Sequence, residues 1–172
     1  MIARSELPDE TCGQWYVLHT KARQEKALSG ALVAMGLGCF LPLIKQVRYY
    51  GQYKVVVETP LFPSYVFLRG QVEDVYRADR TKRVAKIIPV NDQKRIDWEL
   101  RNVSLAVTQE VQFDPFPYLI KGTRVEVRAG PLRGLQGLVE DRAKMDRLIL
   151  QVDMLGRAVS LEVDGALLDR ID

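Results

Sequence analysis

Of the side chains able to attack, shuttle a proton or hold a metal, this 172-residue chain has one histidine, His19, and two cysteines, Cys12 and Cys39. General-base work needs an orienting partner and a target, and no serine, cysteine or carboxylate clusters around His19 in the sequence. The cysteines have no neighbouring His or Cys at a metal-ligand spacing, and two thiols do not make a disulfide framework. There is no phosphate-cradling loop, and the carboxylates are scattered among basic neighbours. The expectation is a protein that is not an enzyme and takes no metal or cofactor. What remains is the chemistry of binding, carried by aromatic rings and cations.

The stretch from Glu58 to Arg69 concentrates it. Pro60 and Pro63 close a turn, and the alternating run that follows reads as a strand whose successive side chains point to opposite faces. Ser64, Val66 and Leu68 share one face; Tyr65, Phe67 and Arg69 share the other. With Val66 and Leu68 turned to a helix-covered core, the second face presents two aromatics beside a charge, which is a docking surface. The same alternation fits a sheet covered on both sides, with both aromatics in the core.

Cations gather in two other places. Arg48, Tyr49, Tyr50, Tyr53 and Lys54 surround a turn at Gly51 with no acid among them, a composition that meets phosphate by charge and bases by ring stacking. Arg77 to Arg95 holds seven basic residues against Asp79 and Asp92, with Tyr76, Arg77, Arg80, Lys82 and Arg83 at its start, and could lie along a phosphate backbone. A solvated helix face has the same composition. The net charge of +3 is too small for a protein that wraps nucleic acid by charge alone. From Lys121 onward basic and acidic residues cancel at nine each, so the excess lies before that point.

Several elements must position these groups. Gln14 to Thr20 is an opening strand rich in aromatic and β-branched residues, with Trp15, Val17 and His19 on one face and Tyr16 and Leu18 on the other. Ala22 to Met35 has the spacing of an amphipathic helix, ended by Gly36 and Gly38. Cys39 to Arg48 and Tyr53 to Glu58 form two arms of a hairpin. Glu73 to Arg80 is a short helix, Val84 to Pro89 a strand and Asp92 to Gln109 a longer helix. Residues 1–13 are an N-terminal tail, 14–107 an α/β sandwich with a mainly antiparallel sheet, and 108–120 a linker marked by two prolines between aromatics. Residues 121–172 read as short strands, Arg124 to Arg128, Leu135 to Asp141, Leu148 to Asp153 and Ala158 to Val163, with turns at Gly130-Pro131, Met145-Asp146 and Gly156. They make a small SH3-like β-barrel, so the fold class is α+β.

The tail lacks the basic-then-apolar order of a signal peptide, and the longest uncharged run, Ala27 to Ile44, is broken by Gly30, Gly36, Gly38 and Pro42. The expectation is a soluble cytoplasmic protein with reduced thiols, monomeric and without a membrane partner.

Both halves match a known pattern. The run from Gly122 through Val125, Val127, Gly130-Pro131-Leu132-Arg133-Gly134, Gly137 and Val139 resembles the KOW motif, with Gly122, Gly130, Gly134 and Gly137 as its structural glycines. It stands behind a domain that opens with Trp15-Tyr16-Val17 and carries Leu61-Phe62-Pro63-Ser64-Tyr65-Val66-Phe67. In this order the two resemble the NusG family of transcription elongation factors, an NGN domain followed by a KOW domain, over nearly all of Gln14 to Asp172. The resemblance implies that the first domain binds the clamp helices of the largest RNA polymerase subunit through Tyr16, His19, Phe62, Pro63, Tyr65 and Phe67. It further implies a closed clamp, hence less pausing and termination, because a ligand that prefers one conformation shifts the population towards it.

Leu61-Phe62-Pro63-Ser64 is nearer the specialised RfaH-type members than the Phe-Pro-Gly of general ones, which implies action at specific operons. The His-Thr-Thr segment with which RfaH-type proteins read non-template DNA is absent from Val75 to Arg80, so any DNA element would differ. Arg48, Tyr49, Lys54, Tyr76, Arg77, Arg80, Lys82 and Arg83 remain as nucleic-acid contacts. Leu155-Gly156-Arg157 resembles the loop through which general members meet a small-subunit ribosomal protein or the Rho terminator. Two further readings stay open: a housekeeping member acting with Rho and the ribosome, and a ribosome-associated module using its barrel on RNA. The charge-neutral barrel counts against the second.

Overall fold

The computed structural model describes residues 6–10, 13–140 and 146–171. These residues divide into two compact units at Gln93/Lys94.

The first unit is built on β1 (Gln14–Thr20), which runs antiparallel to β5 (Tyr65–Gly70) on one side and β6 (Val84–Pro89) on the other. A short strand, β2 (Gly38–Phe40), extends the far side of β5, giving the order β2-β5-β1-β6. Helix α1 (Glu25–Ala34) stops where Gly36 turns left-handed at φ 73°, so that the N–H of Leu37 reaches back to the carbonyl of Leu32 at 3.0 Å. Helix α2 (Val72–Asp79) begins at a capping box in which the Gln71 N–H donates to Asp74 Oδ2 at 2.8 Å. Leu28 and Leu32 of α1 and Val75 and Ala78 of α2 bury themselves against Leu18, Val66 and Leu68, with Tyr16 at the edge. The face read as helix-covered is helix-covered.

The expected first hairpin arm is two strands. Pro42 has no N–H to give a ladder, and the chain breaks at Leu41-Pro42. Before it, β2 joins the main sheet; after it, β3 (Leu43–Tyr50) pairs only with β4 (Tyr53–Pro60), from Leu43↔Pro60 to Tyr50↔Tyr53. The result is a separate two-stranded ribbon.

In the second unit, α3 (Gln93–Thr108) has Ile96, Leu100, Val103, Ala106 and Val107 buried. Strand β7 (Asp114–Phe116) lies inside the stretch read as linker and adds to a six-stranded antiparallel sheet. The others are β8 (Thr123–Val127), β9 (Gln136–Val139), β10 (Arg147–Val152), β11 (Arg157–Glu162) and β12 (Leu168–Arg170), in the order β12-β8-β9-β10-β11-β7. Gln151 holds the chain beyond β7, its amide meeting the N–H and carbonyl of Leu119. Leu138, Ile149 and Ala158 pack with Phe116 and Leu119 in the interior. Gly130 and Gly134 sit at φ 88° and 87°, where a side chain is strained. Cys12, Asp141 and Met145 lie outside the described residues. Among those described, no helix is long and apolar enough to cross a membrane.

Candidate docking surface

Strand parity decides which expected docking residues meet. His19 and Tyr65 are cross-strand partners on β1 and β5, and their rings stack with centroids 5.2 Å apart at 27°. Both are half-buried, so the pair is held by the sheet yet open to a partner. Pro63 is exposed in the turn that leads into β5.

Three of the expected residues do not share this surface. Tyr16 points to the opposite face and packs at the edge of the core under α1 and α2. Phe67 is fully buried and tilted against Phe40 at 6.2 Å, and Phe62 is 3% exposed. Trp15 and Val17 on the same side are buried too, so the central strands are closed off on both faces. The reading of Phe62 and Phe67 as open docking residues is corrected: they are core, and the surface contracts to His19, Tyr65 and Pro63.

The turn before β5 is held in an unusual way. Ser64 adopts φ 72°, a left-handed angle that costs an L-residue about 1–2 kcal/mol. Its carbonyl accepts from the Thr20 N–H at 2.8 Å, and its own N–H donates to the Glu25 carboxylate at 2.8 Å. Glu25 is buried at the first turn of α1, a position that reads in sequence as ordinary helix-terminus charge and gave no sign of this role. Glu25→Ala leaves the Ser64 N–H without its charged acceptor. We expect it to destabilise the first unit by about 1.5–3 kcal/mol in urea unfolding; a change under about 0.5 kcal/mol would show that the turn does not need the carboxylate.

The two basic regions differ in kind. On the ribbon, Tyr49 pairs directly with Lys54 and is 70% exposed, while Arg48 pairs with Val55 on the reverse face. Tyr50 and Tyr53 pair across the tip and are exposed, so cations and rings occur on both faces. Tyr76 and Arg80 are exposed on and after α2. The guanidinium of Arg77 is engaged, donating to the Met35 carbonyl at 3.1 Å and lying 3.6 Å from Asp74. Lys82 is exposed at φ 62°, and Arg83 is half-buried and bonded to Gln24.

In the second unit, the expected partner loop follows a short turn, Asp153–Leu155, that ends at Gly156 with φ 59°. Gly156 and Arg157 are exposed and Leu155 half-buried. Gly122 is exposed, whereas Gly137 is buried where β9 and β10 come close.

A family model described as "Transcription termination factor nusG" matches residues 13–103. The matched segment includes β1, both strands of the ribbon, β5 and the His19–Tyr65 pair.

Proposed function

The chain belongs to the NusG family, and from this premise we propose that it is a non-catalytic transcription factor that binds RNA polymerase through the His19–Tyr65 surface and suppresses pausing and termination by holding the clamp closed. The observation that carries the reading is the stacked pair itself: an aromatic anchor, fixed by strand register and open on one side, within the matched segment. The clamp helices of the largest subunit are its partner. Leu61-Phe62-Pro63-Ser64 favours an operon-specific, RfaH-like member. The exposed ribbon tip, with Arg48, Tyr49 and Lys54, and the exposed Tyr76, Arg80 and Lys82 supply contacts to non-template DNA.

A second reading is favoured by the loop at Gly156. The exposed Gly156-Arg157 turn has the form of a protein-docking loop, which supports a housekeeping role in which a KOW domain meets Rho or a ribosomal protein. A termination assay with and without Rho separates the readings: antitermination lowers readthrough loss in both arms, whereas the Rho-linked role raises termination only when Rho is present.

Polymerase binding itself is tested by pull-down of core RNA polymerase on wild type and on His19→Ala/Tyr65→Ala. Interface aromatics of this kind are worth about 2 kcal/mol or more, so binding should fall at least roughly 30-fold with the fold retained. Undiminished binding by a folded variant would place the contact elsewhere.

A further inference from the structure

The stacked rings of His19 and Tyr65 have a third neighbour in their row. Strand register sets Lys86 of β6 opposite His19 on one side, as it sets Tyr65 of β5 on the other, so the three side chains share one face of the sheet on adjacent strands. Lys86 is exposed, and among the described residues no carboxylate pairs with it. In the next row of the same face, Phe67 and Val17 are fully buried beside Ile88. The Tyr65–His19–Lys86 row is where this face becomes accessible.

Three turns meet at this end of the sheet and are bound to one another. The Thr20 N–H donates to the Ser64 carbonyl at 2.8 Å, the Lys21 N–H to the Arg83 carbonyl at 2.9 Å, and the Arg83 guanidinium to Gln24 Oε1. Among the described residues, four other than glycine have left-handed backbone, and three of them are here: Arg23 at φ 59°, Ser64 at 72° and Lys82 at 62°. Glycine takes such angles freely, yet two of these three positions carry exposed cations. Segments 19–24, 62–65 and 80–86 contain Lys21, Arg23, Arg80, Lys82, Arg83 and Lys86 and no Asp or Glu. The flanking acids are Glu25, buried and bonded to the Ser64 N–H, and Asp79, exposed at the end of α2. A fixed rim of positive charge thus borders the ring pair.

We propose, resting on the polymerase reading above, that this row selects a partner helix carrying a carboxylate one turn from its apolar anchor, with Lys86 recognising the acid. Neighbouring strands lie about 4.8 Å apart, and side chains three or four residues apart on a helix lie about 5–6 Å apart. A helix laid along the row therefore sets an apolar side chain on His19 and Tyr65 and an Asp or Glu on Lys86. The apolar contact supplies affinity. The cation supplies choice, because a partner bringing a basic residue to the same place meets a like charge. Lys21, Arg23 and Lys82 add longer-range attraction, which speeds encounter with an acidic surface and is screened by salt. The rings stack on each other and are half-buried, so a nucleic-acid base finds no open slot between them, which favours a protein partner.

The test compares binding of wild type, Lys86→Glu and His19→Ala/Tyr65→Ala, each as the full chain, to purified core RNA polymerase at about 50 and about 400 mM salt. Lys86→Glu should bind roughly tenfold more weakly than wild type at low salt. The gap should narrow at high salt, and its urea midpoint should stay that of wild type. Wild-type binding by Lys86→Glu beside a loss in the ring variant overturns the acid-selecting role and leaves the polymerase reading standing. Undiminished binding by a folded ring variant removes that reading and this inference together. Labelled single-stranded DNA of mixed sequence is titrated in parallel: if Lys86→Glu weakens its binding as much as that of polymerase, the cation serves phosphate and the proposal falls. If Lys86→Glu fails to fold, shown by a lowered urea midpoint, Lys86→Gln decides, with a loss of about threefold expected and wild-type binding again overturning the proposal.

Discussion

Phe67→Ala is expected to unfold the first unit under mild denaturant, with a loss of about 3–5 kcal/mol in urea titration. The side chain is fully buried on β5, tilted against Phe40 and flanked across the strands by Val17, its register partner. Removing the ring leaves a cavity in a close-packed interior, and Phe→Ala changes at such sites fall in that range. Against a total stability of about 5–15 kcal/mol, this is a large fraction. Tyr65→Ala, two residues earlier, should cost much less, because its ring is half-buried and stacks on the equally half-buried His19. Lost polymerase binding in Phe67→Ala would therefore report a lost fold, whereas the same loss in Tyr65→Ala would report a lost contact. A Phe67→Ala variant within 1 kcal/mol of wild type would return Phe67 to the candidate surface.

The contrast between these neighbours shows what the sequence could convey. Alternation along Ser64 to Arg69 correctly separated the two faces of β5, because side-chain direction in a strand is a local property. Whether the second face met solvent depended on what lies against Trp15, Val17 and Phe67, and no local pattern carries that. The bounds of β1 and β6 were legible from β-branched and aromatic content. The break at Leu41-Pro42 could have been read from the missing N–H of proline, but the flanking apolar run masked it. Strands β7 and β12 are three residues each, too short for periodicity to register, and are held by pairing with β11 and β8.

Glu99 was legible in part. It falls three residues after Ile96 and one before Leu100, inside the apolar stripe of α3, which marks it as buried. Its four-residue spacing from Arg95 instead reads as a surface ion pair. The distinction lies with Asp153, more than fifty residues away, whose N–H gives the buried carboxylate its reason to be there. Glu25 is a similar case: the group it serves, Ser64, adopts an angle that nothing in the type of residue announces.

Gly137→Ala is expected to destabilise the second unit by about 1–3 kcal/mol or more, lowering its melting transition in calorimetry of the full chain. An added Cβ would meet the Ile149 carbonyl oxygen at 2.7 Å and Leu148 Cδ1 at 2.9 Å. Leu148 could in principle turn away, but the carbonyl belongs to β10 and cannot retreat without disturbing the Leu138↔Ile149 pairing that joins β9 to β10. Overpacking against backbone is costly for this reason. Gly134→Ala meets nothing within 4 Å and carries only the strain of φ 87°, a smaller cost of about 1–2 kcal/mol. The two alanines thus separate a glycine required for space from one required for conformation, and equal losses in both would mean that β10 yields to the new methyl group. A larger loss at Gly137 would fix the β9–β10 approach as the tightest constraint on the sheet that presents Leu155, Gly156 and Arg157.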